Sequence, residues 1–145
     1  LTPLASLPDL YADNTAQGYY ASLPAGLDMT DSGRSGTTTL IDWDSNQCNG
    51  RAGVICNAAA AALATDAAGN SIRYTIHRLC KLSGSPQDAA NSCLLFQPAA
   101  SASKGAVSYG QARRFAVSPG VYYRITTRVN GPRNTVVYTQ TMVHF

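Results

Sequence analysis

Val121-Tyr122-Tyr123-Arg124-Ile125-Thr126-Thr127-Arg128-Val129, then Asn130-Gly131-Pro132-Arg133-Asn134 and a β-rich run from Thr135 to Val143, is the stretch that decides the fold. Val121, Tyr123, Ile125, Thr127 and Val129 alternate with Tyr122, Arg124, Thr126 and Arg128, the two-residue period of a strand. A Gly/Pro/Asn turn then leads into a second strand. The pattern predicts an antiparallel β-hairpin, and with it a sheet that has one packed face and one wet face.

Upstream, residues 71–82 repeat the period: Ile72, Tyr74 and Ile76 alternate with Arg73, Thr75 and His77. A loop over residues 83–92, with Gly84 and Pro86, turns the chain toward a short strand at 93–97. Residues 98–110 are rich in Ala, Ser and Gly and read as a surface loop. Toward the N-terminus, residues 1–26 are interrupted by Pro3, Pro8 and Pro24, with one short extended piece at Tyr19-Tyr20. A turn-rich loop over 28–36 precedes a short strand at 37–43. Residues 57–67, an Ala run behind an Asn, read either as a short helix or as a linker, because only Leu63 offers much to bury.

Composition agrees with this outline. The 145 residues suit one domain, 1–145, with a core of its own. Only 13% of residues are charged, about half the usual share, with no Glu and eight Asp. Solvated helices normally carry Glu and Lys, so their scarcity favours strands and ordered loops. The predicted class is α+β, mostly β and loops in this chain, with a C-terminal antiparallel sheet. Charge is lopsided: residues 1–70 hold seven Asp against Arg34 and Arg51, a net of −5, while residues 71–145 hold nine basic residues against Asp88, a net of +8. Such asymmetry can steer docking between subunits or onto an anionic polymer, and it is also what a sheet with Arg on its wet face produces.

Four cysteines, Cys48, Cys56, Cys80 and Cys93, allow three connectivities. The sequential pairing Cys48–Cys56 and Cys80–Cys93 is the simplest, each bridge stapling a local excursion. Their spacings are not those of zinc knuckles and there is no CxxC, so structural disulfides and an oxidising compartment are expected. The most apolar run, residues 58–64, is far short of the roughly 20 residues a spanning helix needs. The first ten residues lack a basic n-region, so the chain reads as a mature or trimmed piece of an exported protein.

No residues assemble into a catalytic constellation, and the chain reads as a non-enzyme with no cofactor and no metal. His77 and His144 stand apart, and Gly33-Arg34-Ser35-Gly36 is not a nucleophile elbow. Asp42-Trp43-Asp44-Ser45-Asn46 opens like a calcium loop, but Gln47 and Gly53 occupy the positions that need Gly and Glu. Arg73, Arg78, Arg124 and Arg128 are the candidate anion-binding set, able to track phosphates if they share a face, with Tyr122 as a stacking ring.

Several stretches in order resemble the PilX-type minor pilins of type IV pili. They are Tyr19-Tyr20 through Leu23-Pro24-Ala25-Gly26-Leu27-Asp28-Met29-Thr30, Ile41-Asp42-Trp43-Asp44 leading to Cys48, and Gly69-Asn70-Ser71-Ile72-Arg73-Tyr74-Thr75-Ile76-His77-Arg78-Leu79-Cys80 with Asn91-Ser92-Cys93. The closing stretch from Val121 to Val136 is the most specific. The resemblance implies a pilin-like head carried on a long N-terminal hydrophobic helix that this chain lacks. It implies a role in priming pilus assembly with other minor pilins and the major pilin, and retention at the tip with an adhesin. It also implies residence in the inner membrane with the head in the periplasm, then outside the cell in the pilus. A type II secretion pseudopilin, and a surface adhesin or DNA-capture module, are the competing readings. Partner contacts are expected from the surface loops, through Ser83, Ser85, Gln87, Asp88 and Lys104.

Overall fold

The computed structural model describes residues 10–59, 62–96 and 120–144. Among these residues eight strands form in chain order: β1 Tyr19–Tyr20, β2 Leu27–Asp28, β3 Thr39–Asp42, β4 Ile55–Ala58, β5 Ser71–Arg78, β6 Leu95–Phe96, β7 Gly120–Asn130 and β8 Val136–His144. The larger sheet runs β1-β5-β7, with β8 on the far side of β7 and β6 pairing β7 beyond the end of β5. The smaller sheet is β2-β3-β4.

The hairpin forms as its alternation dictates, with Tyr122 opposite His144 and Asn130 opposite Val136. Gly131 N–H donates to Thr135 O and closes the turn, and Asn134 adopts the left-handed conformation at φ 57° that Asn tolerates. The strand expected over 71–82 ends at Arg78, and the one expected over 93–97 is Leu95–Phe96 among the described residues. Between them the chain is tied by Leu94 N–H to Leu79 O and Tyr122 N–H to Leu94 O.

Two features depart from the sequence reading. First, the helical structure of the described residues is limited to short 3-10 turns, Thr15–Gln17 and Gln47–Gly50 among them, with no α-helix and so none long and apolar enough to cross a membrane. Asn57 and Ala58 finish β4 instead of opening a helix. Leu63 N–H then donates to Ile72 O, and Asp66 N–H to Asn70 O, laying this run beside β5. Alanine favours a helix, but a short isolated one does not recover its nucleation cost without a face to bury. Second, β1 pairs β5 in parallel, and β2, β3 and β4 pair in parallel throughout. Parallel neighbours need crossovers, and the one from β3 to β4 is an irregular loop closed by Cys48–Cys56.

Burial inverts the expected faces. Arg73, Thr75 and His77 stand opposite Arg128, Thr126 and Arg124 on one face, which the smaller sheet covers. Thr75, His77 and Thr126 are 0% exposed. Tyr20 stacks on His77 with ring centroids 5.0 Å apart and donates its hydroxyl to Ala58 O in β4. Trp43 donates to Met29 O at 2.7 Å and meets the Tyr138 ring edge-on, joining a core of Met29, Ile41 and Trp43 to the sheet. The apolar face holding Ile72, Tyr74, Ile125 and Val129 is only half-buried. It gains a core at one end, where Tyr19, Ala21, Cys80, Val121 and Tyr123 cluster with Leu10 and Ile76.

Candidate functional site

The four arginines do not share a wet face. Arg78 lies on the opposite side of β5 from Arg73 and is 0% exposed, with Nε donating to Ala21 O at 2.8 Å and Nη2 to Gly84 O at 2.6 Å and Leu82 O at 3.3 Å. Its guanidinium also lies 5.6 Å from the Tyr11 ring centre. Arg78 therefore organises the chain around it and is unavailable to phosphate. Arg128 pairs with Asp44 at 2.6 Å, and Arg73 donates to Ser45 Oγ at 2.8 Å, so both fasten the loop after β3 to the large sheet. Arg124 alone of the set has no acceptor among the described residues, and its Nε is buried. A row of arginines in strand period gives their side of the sheet, but not what covers that side.

Arg124 faces His77 across the sheet. Burial, helped by the Arg124 charge, depresses the His77 pKa to about 4, and neither ring nitrogen has a hydrogen-bond partner. His144 has other neighbours: it stacks on Phe96 with ring centroids 4.1 Å apart and meets Tyr122 edge-on.

The loop over 83–92 is exposed yet ordered. Cys80 and Cys93 are bridged, as are Cys48 and Cys56, giving the sequential connectivity. Asn91 receives Leu82 N–H and donates to Leu82 O and Ser85 O, clamping the loop's two limbs. Gly84 donates to Tyr11 O, while its own carbonyl accepts from Arg78. Ser85 Oγ accepts from Gln87 N–H, and Asp88 Oδ1 accepts from Ala90 N–H. Ser83, Gln87 and Asp88 face solvent and Ser85 is half-buried. Lys104 and the expected loop over 98–110 lie outside the described residues.

Beside this loop lies a groove of about 630 Å³ lined by Leu23, Leu79, Leu82, Leu94, Arg124 and Met142, among others. Leu82, Leu94 and Met142 are exposed by 46%, 51% and 55%. Sequence reasoning missed this patch. Its signal was two leucines, Leu82 two residues inside the second Cys pair and Leu94 directly after it, where no strand buries them.

The carboxylates at the end of β3 and in the loop after it are spent within the fold. Asp42 accepts the N–H groups of Asn46 and Gln47, both at 2.9 Å, and Asp44 pairs with Arg128. Among the described residues, no group of three His, Cys, Asp or Glu side chains is placed to hold a metal. Burial works against the Asp28 carboxylate, yet donors from Thr30 and Ser32 outweigh it and hold its pKa below the usual value.

No protein-family model, curated protein or solved structure matches the chain.

Proposed function

We propose that this chain is the head of a PilX-type minor pilin that helps prime type IV pilus assembly by docking other minor pilins. The observation that carries the reading is the ordered loop between Cys80 and Cys93, exposed beside an apolar groove and held by Arg78, Asn91 and the disulfide. Protein partners are captured by preorganised surfaces, because ordering a loop on binding costs affinity. Ser83, Gln87 and Asp88 form the polar part of this surface, and Leu82 and Leu94 the apolar part. The half-buried face of Ile72, Tyr74, Ile125 and Val129 fits the same reading as a seat for a long helix.

The test is co-purification of this chain with the heads of the other minor pilins and the tip adhesin of the same genome. A complex is expected, and it should weaken in a Gln87→Ala, Asp88→Ala, Leu94→Ser variant whose melting temperature is unchanged. Unchanged capture by that variant, or no complex with a folded and oxidised chain, would count against the proposal.

A further inference from the structure

Among the described residues, strand β8 has an open edge. β7 fills one side through an unbroken register from Tyr122↔His144 to Asn130↔Val136, and no described strand pairs on the other. Two bonds fix the phase of the ladder: Gly131 N–H donates to Thr135 O, and Tyr122 turns its N–H away from β8, to Leu94 O. The odd-numbered residues of β8 therefore bond to β7. The backbone groups of Val136, Tyr138, Gln140, Met142 and His144 point outward.

Natural sheet edges are normally protected by a charge, a proline, a bulge or brevity. β8 has none of these. It is nine residues long, Val-Val-Tyr-Thr-Gln-Thr-Met-Val-His, with no Asp, Glu, Lys, Arg or Pro. Val136, Val137 and Met142 are exposed along it.

The order of its side chains selects the partner. On one face the strand reads Val137, Thr139, Thr141, Val143, the same in both directions about Gln140. A second β8 laid antiparallel with Gln140 opposite Gln140 sets Val137 against Val143 and Thr139 against Thr141. Matched β-branched and Thr–Thr pairs of this kind stabilise a sheet. On the other face Tyr138 meets Met142, a favourable ring–sulfur contact. In this register the opposed outward residues, 136 with 144, 138 with 142 and 140 with itself, are the ones whose backbone groups bond no described strand. A slip of one residue turns every side chain onto the wrong face.

We propose that β8 is a self-pairing edge, and that two copies of this chain join through it about a two-fold axis at Gln140 into one continuous sheet. The inference rests on the edge and not on the pilin reading.

Sedimentation of the purified chain across a concentration series should show a monomer–dimer equilibrium. Thr139→Lys with Thr141→Lys opposes like charges across the axis at two symmetric positions and should weaken dimerisation by roughly tenfold or more. The matching Thr139→Glu, Thr141→Glu variant should behave likewise. Mixing the two should restore a heterodimer, which misfolded variants would not do. Gln140→Cys should cross-link with its copy under mild oxidation. A chain that stays monomeric at all concentrations, a dimer indifferent to the lysines, or a mixture that fails to pair would overturn the proposal. So would capture of a foreign extended peptide on β8 by a chain that never pairs with itself.

Discussion

The two faces of the large sheet are built from opposite materials and meet opposite fates. One carries Thr75, His77 and Thr126 between three arginines and is sealed beneath the smaller sheet. The other carries Ile72, Tyr74, Ile125 and Val129 and stays half open to water. Hydrophobicity alone would have reversed them. The covered polar face is matched in part, Arg128 with Asp44, Arg73 with Ser45, and the Tyr20 ring with His77, while the His77 nitrogens and Arg124 Nε are buried without a hydrogen-bond partner among the described residues. Period says which residues share a face, and the partners elsewhere in the chain decide which face is buried.

The comparison can be broken most forcefully at Arg78, the one charged residue on the apolar side of β5. Arg78→Leu keeps the bulk and strands the carbonyls of Ala21 and Gly84, while Leu82 O keeps its bond from Asn91. We expect a loss of about 3 to 5 kcal/mol by urea denaturation, with the loop over 83–92 losing amide protection first. A loss below 1 kcal/mol would mean that the loop stands without it.

Next comes His77, which tests how dry the covered face is. Its folded pKa of about 4 lies below the unfolded value of about 6.5, so the unfolded chain binds the extra proton. Its contribution is full above pH 6.5 and is lost as pH falls toward 4, amounting to about 3 kcal/mol. His77→Phe should flatten the melting temperature between pH 6.5 and 4, leaving Asp28, whose lowered pKa acts below that window. A wild-type curve already flat there would show that water reaches the ring.

The smallest effect is expected on the open face. Tyr74→Ser gives up only part of a side chain's burial, so we expect about 1 kcal/mol or less in the isolated chain. A loss of several kcal/mol would show that this face is sealed in solution.

Legibility followed the length of each element. β7 and β8 were readable because nine or more residues repeat a period around an unmistakable turn. β1, β2 and β6, with two residues each, carry no period, and their pairing is settled by distant contacts. The parallel pairings were invisible for the same reason: nothing local in Thr39–Asp42 announces Ile55–Ala58 as its neighbour. The Cys pairing was readable as local stapling. The separate fates of the four arginines were not, because a guanidinium is spent or spare according to the acceptors folding brings to it. The groove escaped notice because Leu82 and Leu94 fell within the strands expected over 71–82 and 93–97, whereas β5 ends at Arg78 and β6 starts at Leu95.

The two disulfides also set how far the chain can be drawn out. Each bridge is a covalent short cut, across sequence separations of 8 and 13 residues. At about 3.3 to 3.6 Å per extended residue, and allowing for the span of each bridge, they hide on the order of 60 Å of contour length. A single molecule pulled by its ends should unfold to a shorter plateau when oxidised and gain that length on reduction. The protein thus carries a fixed tether length that force alone cannot change and that a thiol can release.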